Sequence, residues 1–261
     1  MLSMIRSELF RIVRSRFFVV YVVLVCLVSV VAPFALWLYR VWPAFAATGF
    51  VDMPAEPLPS LQLYGMTSVS GAFIAMGAGI AMALFVSEDF KSGFVKNLVQ
   101  VRGGRLSYAV AAVVCSVFLA VVATALGIMV VELTLRAQGY VSAAVSPVDV
   151  LQWFTQVALI ESAYAMIAAL IALSFGSETL ATVCAVFFGG GVAESVARLV
   201  LANIPGVPAA LRDCLDGYLA VDLEMLGQGQ VCDPMTYVQA GVTILVAGGL
   251  AALVMRHRAL A

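Results

Sequence analysis

A chain of 261 residues that is 63% hydrophobic and only 11% charged has too little polar surface to cover a soluble globule, so its solvent is lipid. Its net charge of −1 says nothing about nucleic acid, but no basic region is set apart as a domain, and no nucleic-acid partner is expected. The apolar residues fall into six runs, at about 17–38, 66–86, 106–131, 151–173, 179–201 and 237–255, each near the roughly 20 residues that cross a hydrocarbon core about 30 Å thick.

Ahead of the first run, Ile5, Leu9, Ile12 and Val13 share one stripe and Arg6 and Arg14 lie opposite it. Residues 1–16 are therefore expected to form a helix lying at headgroup level, its arginines beside anionic lipid; an unstructured basic topology signal is the plainer reading. The first run, at about 22 residues, is longer than a signal-peptide core, and Phe34, Leu36, Trp37 and Tyr39 stand where a small-residue cleavage site would be, so it is expected to remain in the mature chain. Arg6, Arg11, Arg14 and Arg16 precede this run, Lys91, Lys96, Arg102 and Arg105 follow the second, and Arg256 and Arg258 follow the sixth. The opposite loops hold only Arg40, Arg136 and Arg212, against Asp52, Glu56, Glu132, Asp149, Asp213, Asp216, Asp222, Glu224 and Asp233. By the positive-inside rule both termini face the cytoplasm. The expectation is an all-α polytopic membrane protein with six transmembrane helices and no separate soluble domain.

Gly71, Ala75, Gly79 and Ala83 form a small-residue ladder along the second span, of the kind that lets helices approach closely. In the loop that follows, 87–105, Phe90, Phe94 or Val95, Leu98 and Val101 recur at helical spacing while Lys91 and Lys96 face away, and Gly103-Gly104 ends the pattern. It reads either as an amphipathic helix at the membrane face or as a solvated basic loop. In the fourth and fifth spans Glu161, Glu194 and Arg198 must face protein or water, because a charge at membrane depth costs at least about 2.5–3.5 kcal/mol. Glu194 and Arg198 are four residues apart and so are placed for an ion pair. Glu161 has no partner on its own helix and is expected either to pair with Arg198 across helices or to line a substrate path. Gly189-Gly190-Gly191 marks either a bend or a close packing contact.

The 202–236 loop opens with Asn203-Ile204-Pro205-Gly206-Val207-Pro208, which halts a helix, and continues through Leu211, Leu215, Leu219 and Leu223, an apolar face. Cys214 and Cys232 share this external loop, where a disulfide is permitted though not required; Cys26, Cys115 and Cys184 lie in spans and are expected to be inert thiols. The single histidine, His257, lies beyond the last span, which removes Ser–His and two-His zinc chemistry. Glu194 and Arg198 match half of the Glu-Glu-x-x-x-Arg signature of an intramembrane protease, but Ala193 stands in place of its first Glu. No phosphate-cradling G-x-x-x-x-G-K-[ST] loop is present. The chain is expected to have no catalytic residues, no metal and no cofactor of its own.

The loop after the second span is similar to the hallmark of type-2 ABC transporter permeases: an acid ending the span (Glu88), a glycine five residues on (Gly93), Lys96-Asn97-Leu98, then Gly103-Gly104-Arg105 leading into the third span. The likeness covers the whole chain, and departs from the commoner pattern at Phe94, where many members carry Thr. It implies a second permease copy, identical or related, on a cytosolic ATPase dimer that binds ATP and Mg. It also implies that residues 87–105 form a coupling helix in which Glu88, Asp89, Lys91, Gly93, Lys96, Arg102 and Arg105 carry force. An elbow helix at the N-terminus, short external helices before the last span, and a bacterial plasma-membrane location follow from the same resemblance. So does export of a hydrophobic or amphipathic substrate such as an antimicrobial peptide of the lantibiotic type. A non-transporting sensor or assembly subunit, and an ion-coupled carrier with Glu161 as proton site, are the alternatives.

Overall fold

The computed structural model describes residues 2–42, 58–94, 104–204, 208 and 218–257. Backbone amides have no partner in hydrocarbon, so long apolar segments close their own hydrogen bonds as helices. The described residues are helical apart from short connections and one isolated bridge between Pro59 and Ala143. The helices are α1 (Leu2–Arg14), α2 (Arg16–Val41), α3 (Ser60–Tyr64), a π-helical turn (Gly65–Val69), α4 (Phe73–Lys91), α5 (Gly104–Ala137), α6 (Pro147–Phe175), α7 (Glu178–Gly189), α8 (Val192–Asn203), α9 (Leu219–Gly227) and α10 (Met235–His257). The chain is an all-helical, multi-pass membrane protein.

Local chemistry accounts for several boundaries. Ser15 separates α1 from α2 and its hydroxyl accepts from the Phe18 N–H at 3.1 Å. Ser146 caps α6 in the same way through Val148, with Pro147 in the first turn, and Gly176 ends that helix at φ 66°. The third and fourth spans, expected at 106–131 and 151–173, run further at their shared end, to Ala137 and back to Pro147.

Two spans differ from the sequence expectation in kind. The second, read as a continuous 66–86, is interrupted: the π-helical turn stops at Val69, Gly71 and Ala72 take φ of 79° and 55°, and α4 begins at Phe73 and continues to Lys91. A left-handed alanine costs about 1–2 kcal/mol, so this break is held by its surroundings. Gly71 therefore belongs to the turn and drops out of the small-residue ladder. The fifth span is broken at Gly190-Gly191, where α7 and α8 meet at 65° with Gly191 at φ 72°. Of the two readings of the triple glycine, both hold: the chain bends there, and a Cβ on Gly189 would lie 3.1 Å from the Met76 backbone. The α7–α8 pair runs from one end of the bundle toward the other. Glu178 at its start pairs with Lys91 at the end that carries the termini, whereas Glu194 meets Ala220 in the segment packed against the start of α6.

The hub is α6, with α4, α5, α7 and α10 packed around it. Ala165, Ala168, Ala169 and Ala172 on α6 are fully buried, and a Cβ on Gly79 would meet Ala185 at 3.0 Å and Ala168 at 3.6 Å. Val19, Val23, Leu27, Val31 and Phe34 of α2 are exposed, as a lipid-facing surface requires. At the far end from the termini, Ala143 donates to the Leu58 carbonyl and Ser60 to the Ala143 carbonyl, and the Trp153 indole N–H reaches the Leu226 carbonyl at 2.9 Å. Leu219 and Leu223 are buried on α9, whereas Leu211, Leu215 and Cys214 lie outside the described residues. Cys232 is buried, with its Sγ 3.4 Å from the Asp222 carbonyl, and Cys214, the other half of the disulfide that the sequence permits, lies outside the described residues.

Gly65 is the tightest joint between α9 and the second span, because a Cβ there would lie 2.5 Å from the backbone oxygens of both Leu226 and Gly227. Gly65→Ala is expected to cost about 1–3 kcal/mol, seen as a lowered thermal midpoint in detergent. Gly241→Ala, where a Cβ meets open space, should leave the midpoint unchanged.

Candidate functional site

The breaks in the second and fifth spans lie against each other and open a cavity of about 350 Å³ between them. Ser70, Gly71 and Ala72 form one wall, Gly189, Gly190 and Gly191 the other, and Ala220, Leu223, Glu224 and Gln228 close it from α9 and the turn beyond. Tyr164, Ser195 and Arg198 contribute the remaining polar lining.

Just behind this wall Glu194, 7% exposed, is held by two donors: the Tyr164 hydroxyl at 2.7 Å on Oε1 and the Ala220 N–H at 2.7 Å on Oε2. The ion pair expected between Glu194 and Arg198 is not formed. The bend at Gly190-Gly191 turns the first residues of α8 toward α6 and α9, and both carboxylate oxygens are engaged there. Arg198 borders the cavity, and its buried Nε has no hydrogen-bond acceptor among the described residues. Nor does Glu161 pair with Arg198 or border this cavity. It is buried between α6 and α5, where the Thr124 hydroxyl donates to Oε2 at 3.1 Å. One turn from Thr124, the space beside Gly127 is occupied by the hydroxyls of Ser29 and Ser68, both buried and without a hydrogen-bond partner among the described residues.

The other end of the bundle holds a compact charge cluster. Asp89 is fully buried, accepting from the Tyr108 hydroxyl at 2.8 Å and from the Arg11 guanidinium. Arg11 also pairs with Glu8 at 3.0 Å, and its guanidinium lies 3.7 Å from the Phe94 ring centroid. The amphipathic helix expected at 1–16 therefore exists and docks its Ile12 face and its Glu8–Arg11 pair onto the base of the second span.

The residues assigned to the 87–105 loop divide accordingly. Asp89 faces inward and serves as an anchor, whereas Glu88 is exposed. Lys91, expected to face away, pairs with Glu178 at the start of α7, and Arg105 donates to the Arg256 carbonyl at 2.6 Å. Phe90 and Lys91 belong to α4, with Gly93 at φ 72° just beyond its end, so the amphipathic pattern does not begin at Phe90. Lys96 and Arg102 lie outside the described residues.

Glu8, Arg11, Tyr108, Tyr164 and Glu178 are site residues that the sequence reading did not single out. For Glu8 a signal existed, since it falls between Ile5 and Ile12 on the apolar stripe, where an acid requires a partner. Comparison with models of known families and with curated proteins gives no match for this chain.

Burial pushes the Glu8 carboxyl up from 4.5 to about 7; the Asp89 carboxylate adds to the rise and the Arg11 guanidinium opposes it. The docked helix thus holds this proton more tightly than a released one. Docking is strongest below about 4.5 and weakens as pH rises to about 7. The thermal midpoint in detergent should fall between pH 5 and pH 7.5 in the native chain, and Glu8→Gln should flatten that dependence.

Proposed function

We propose that this chain is the membrane-spanning subunit of an ATP-driven exporter of the type-2 ABC class, moving a hydrophobic or amphipathic substrate by alternating exposure of a path through the bundle. Two permease copies, identical or related, stand on a cytosolic ATPase dimer, and ATP and Mg are bound there. Both termini face the cytoplasm of a bacterial plasma membrane. The permease supplies no catalytic residue. An antimicrobial peptide of the lantibiotic type is a substrate of suitable character.

One observation carries this reading: the Arg11, Asp89 and Tyr108 cluster ties three elements together at the base of the 87–105 loop. A push on that loop from a cytosolic partner is delivered at once to α1, α4 and α5, and through Lys91 and Glu178 to α7. The second and fifth spans, which receive that push, are the two that carry breaks and enclose the cavity at their far ends. The geometry supports a load path from one end of the bundle to a cavity at the other.

The test is co-expression with the neighbouring reading frames and purification in mild detergent. An ATPase should co-purify with the wild type and be lost or uncoupled in Glu88→Ala, which alters an exposed acid in the last turn of α4, and in Gly93→Pro, whose ring forbids a φ of 72°. Purification of the wild-type chain alone, or with a partner that hydrolyses no ATP, would sink the proposal.

A second reading has an observation of its own. Glu161, buried between α6 and α5 with the Thr124 hydroxyl as its donor, is a group that an ion-coupled carrier would protonate. Glu161→Gln separates the two: transport in vesicles is abolished if Glu161 is the coupling site, and persists with altered substrate preference in an ATP-driven exporter.

A further inference from the structure

We infer that the cavity between the two broken spans binds the oxyanion headgroup, phosphate or carboxylate, of an amphiphile, with Arg198 as the residue that receives the anion. The inference rests on reading this cavity as part of the substrate path and names the class of ligand it takes.

The starting point is a buried guanidinium donor without an acceptor: the Glu194 carboxylate lies within electrostatic reach of Arg198 but takes its hydrogen bonds from Tyr164 and Ala220. A guanidinium donor buried without an acceptor is costly unless an anion or water meets it. Among the described residues no ion pair includes Arg198, and its buried Nε has no acceptor. Glu194, one turn away, has its two oxygens committed to Tyr164 and Ala220. Glu224, the other carboxylate at the cavity, is exposed to solvent and makes no ion pair with Arg198. What remains is a planar fork of donors whose geometry matches a carboxylate or phosphate.

The backbone adds donors of the same sign. Both helices that begin at the cavity start without a side-chain cap, α4 after Ala72 and α8 after Gly191, and both of those residues line it. Helix N-termini carry unpaired N–H groups and the positive end of the helix dipole; that of α8 already has Glu194 in its first turn, whereas that of α4 has no acid there and favours an anion.

Size and surroundings define the rest of the ligand. At about 350 Å³ the cavity is at the small end of ligand sites and takes a headgroup rather than a whole peptide. On the outside of the same helices Phe73, Val196, Leu199 and Val200 are exposed. An acyl chain attached to a headgroup on Arg198 would lie along these side chains in the lipid.

The test is native mass spectrometry of the purified chain in detergent, titrated with phosphatidylglycerol and with diacylglycerol of the same acyl chains. Phosphatidylglycerol should bind, and diacylglycerol should bind at least about tenfold more weakly, as loss of a charge-assisted contact requires. Arg198→Gln should weaken phosphatidylglycerol binding by about the same factor, leave diacylglycerol unchanged and keep the thermal midpoint; Arg198→Lys should be intermediate. Ser195→Phe, which fills the cavity and leaves Arg198 in place, should block binding and guards against misfolding of the arginine variants. Equal binding of the two lipids, or wild-type phosphatidylglycerol binding in folded Arg198→Gln or Ser195→Phe, would overturn the inference. Inorganic phosphate alone stabilising the wild type as much as phosphatidylglycerol does would assign the site to a free anion and overturn the amphiphile. No ATPase is needed, so a failure here is distinct from a failure of the partner to co-purify.

Discussion

Hydrocarbon offers no hydrogen bonds to a backbone that leaves the helical path, and that constraint governs the architecture here. Two spans leave it, and each repairs the damage locally. Ser70 donates to Gly65 and Ala72 to Val69 at the first break; Gly190 donates to Val186 and Gly191 to Phe188 at the second. What local turns cannot supply is lateral cover, and each break supplies it to the other. Gly189 approaches the Ala75 and Met76 backbone so closely that a Cβ would lie 3.1–3.3 Å from it. The cavity is the space left where two irregular segments meet and regular helices would have filled it.

The same scarcity of polar partners explains how the buried acids are treated. Asp89 is matched by a full cation and a phenol, Glu194 by a phenol and a backbone amide, Glu161 by a single threonine. Electrostatic support thus falls from the end of the bundle that holds the termini toward its interior. Where it is strongest the groups act as a clamp between elements. Where it is weakest the carboxyl keeps a single side-chain donor, the Thr124 hydroxyl.

Much of this was legible in the amino-acid order, and the rest was not for identifiable reasons. Hydropathy located the spans because lipid imposes one demand, length of apolar helix, on every residue alike. The stripe of Ile5, Leu9 and Ile12 announced an amphipathic helix for the same reason. The second-span break was invisible because its central residue is Ala72, and an alanine forced to φ 55° by its neighbours leaves no trace in composition. Gly189-Gly190-Gly191 did leave a trace, but glycine serves both bending and close packing, and here it serves both at once. The pairing of Glu194 and Arg198 failed because helical spacing states only that two side chains can meet; Tyr164 and Ala220, distant in sequence, offered the acid a better site. Residue 89 was visible as part of a charged loop, yet its inward turn depended on Arg11, nearly eighty positions away.

The length of α5 has a further meaning. At about 1.5 Å per residue its 34 residues measure about 51 Å, far more than a hydrocarbon core about 30 Å thick. Its last turns carry the charge, where Glu132 accepts from Tyr64 and pairs with Arg136, and so suit headgroups and water better than acyl chains. Just beyond, the 58–60 and 140–143 segments are fastened together by hydrogen bonds. The rim of the bundle at this end is thus secured by protein contacts and not by the position of the lipid boundary. A thicker or thinner bilayer shifts where that boundary falls along α5 and leaves the rim as it is, so hydrophobic mismatch bears on the shorter α4 and on the broken fifth span.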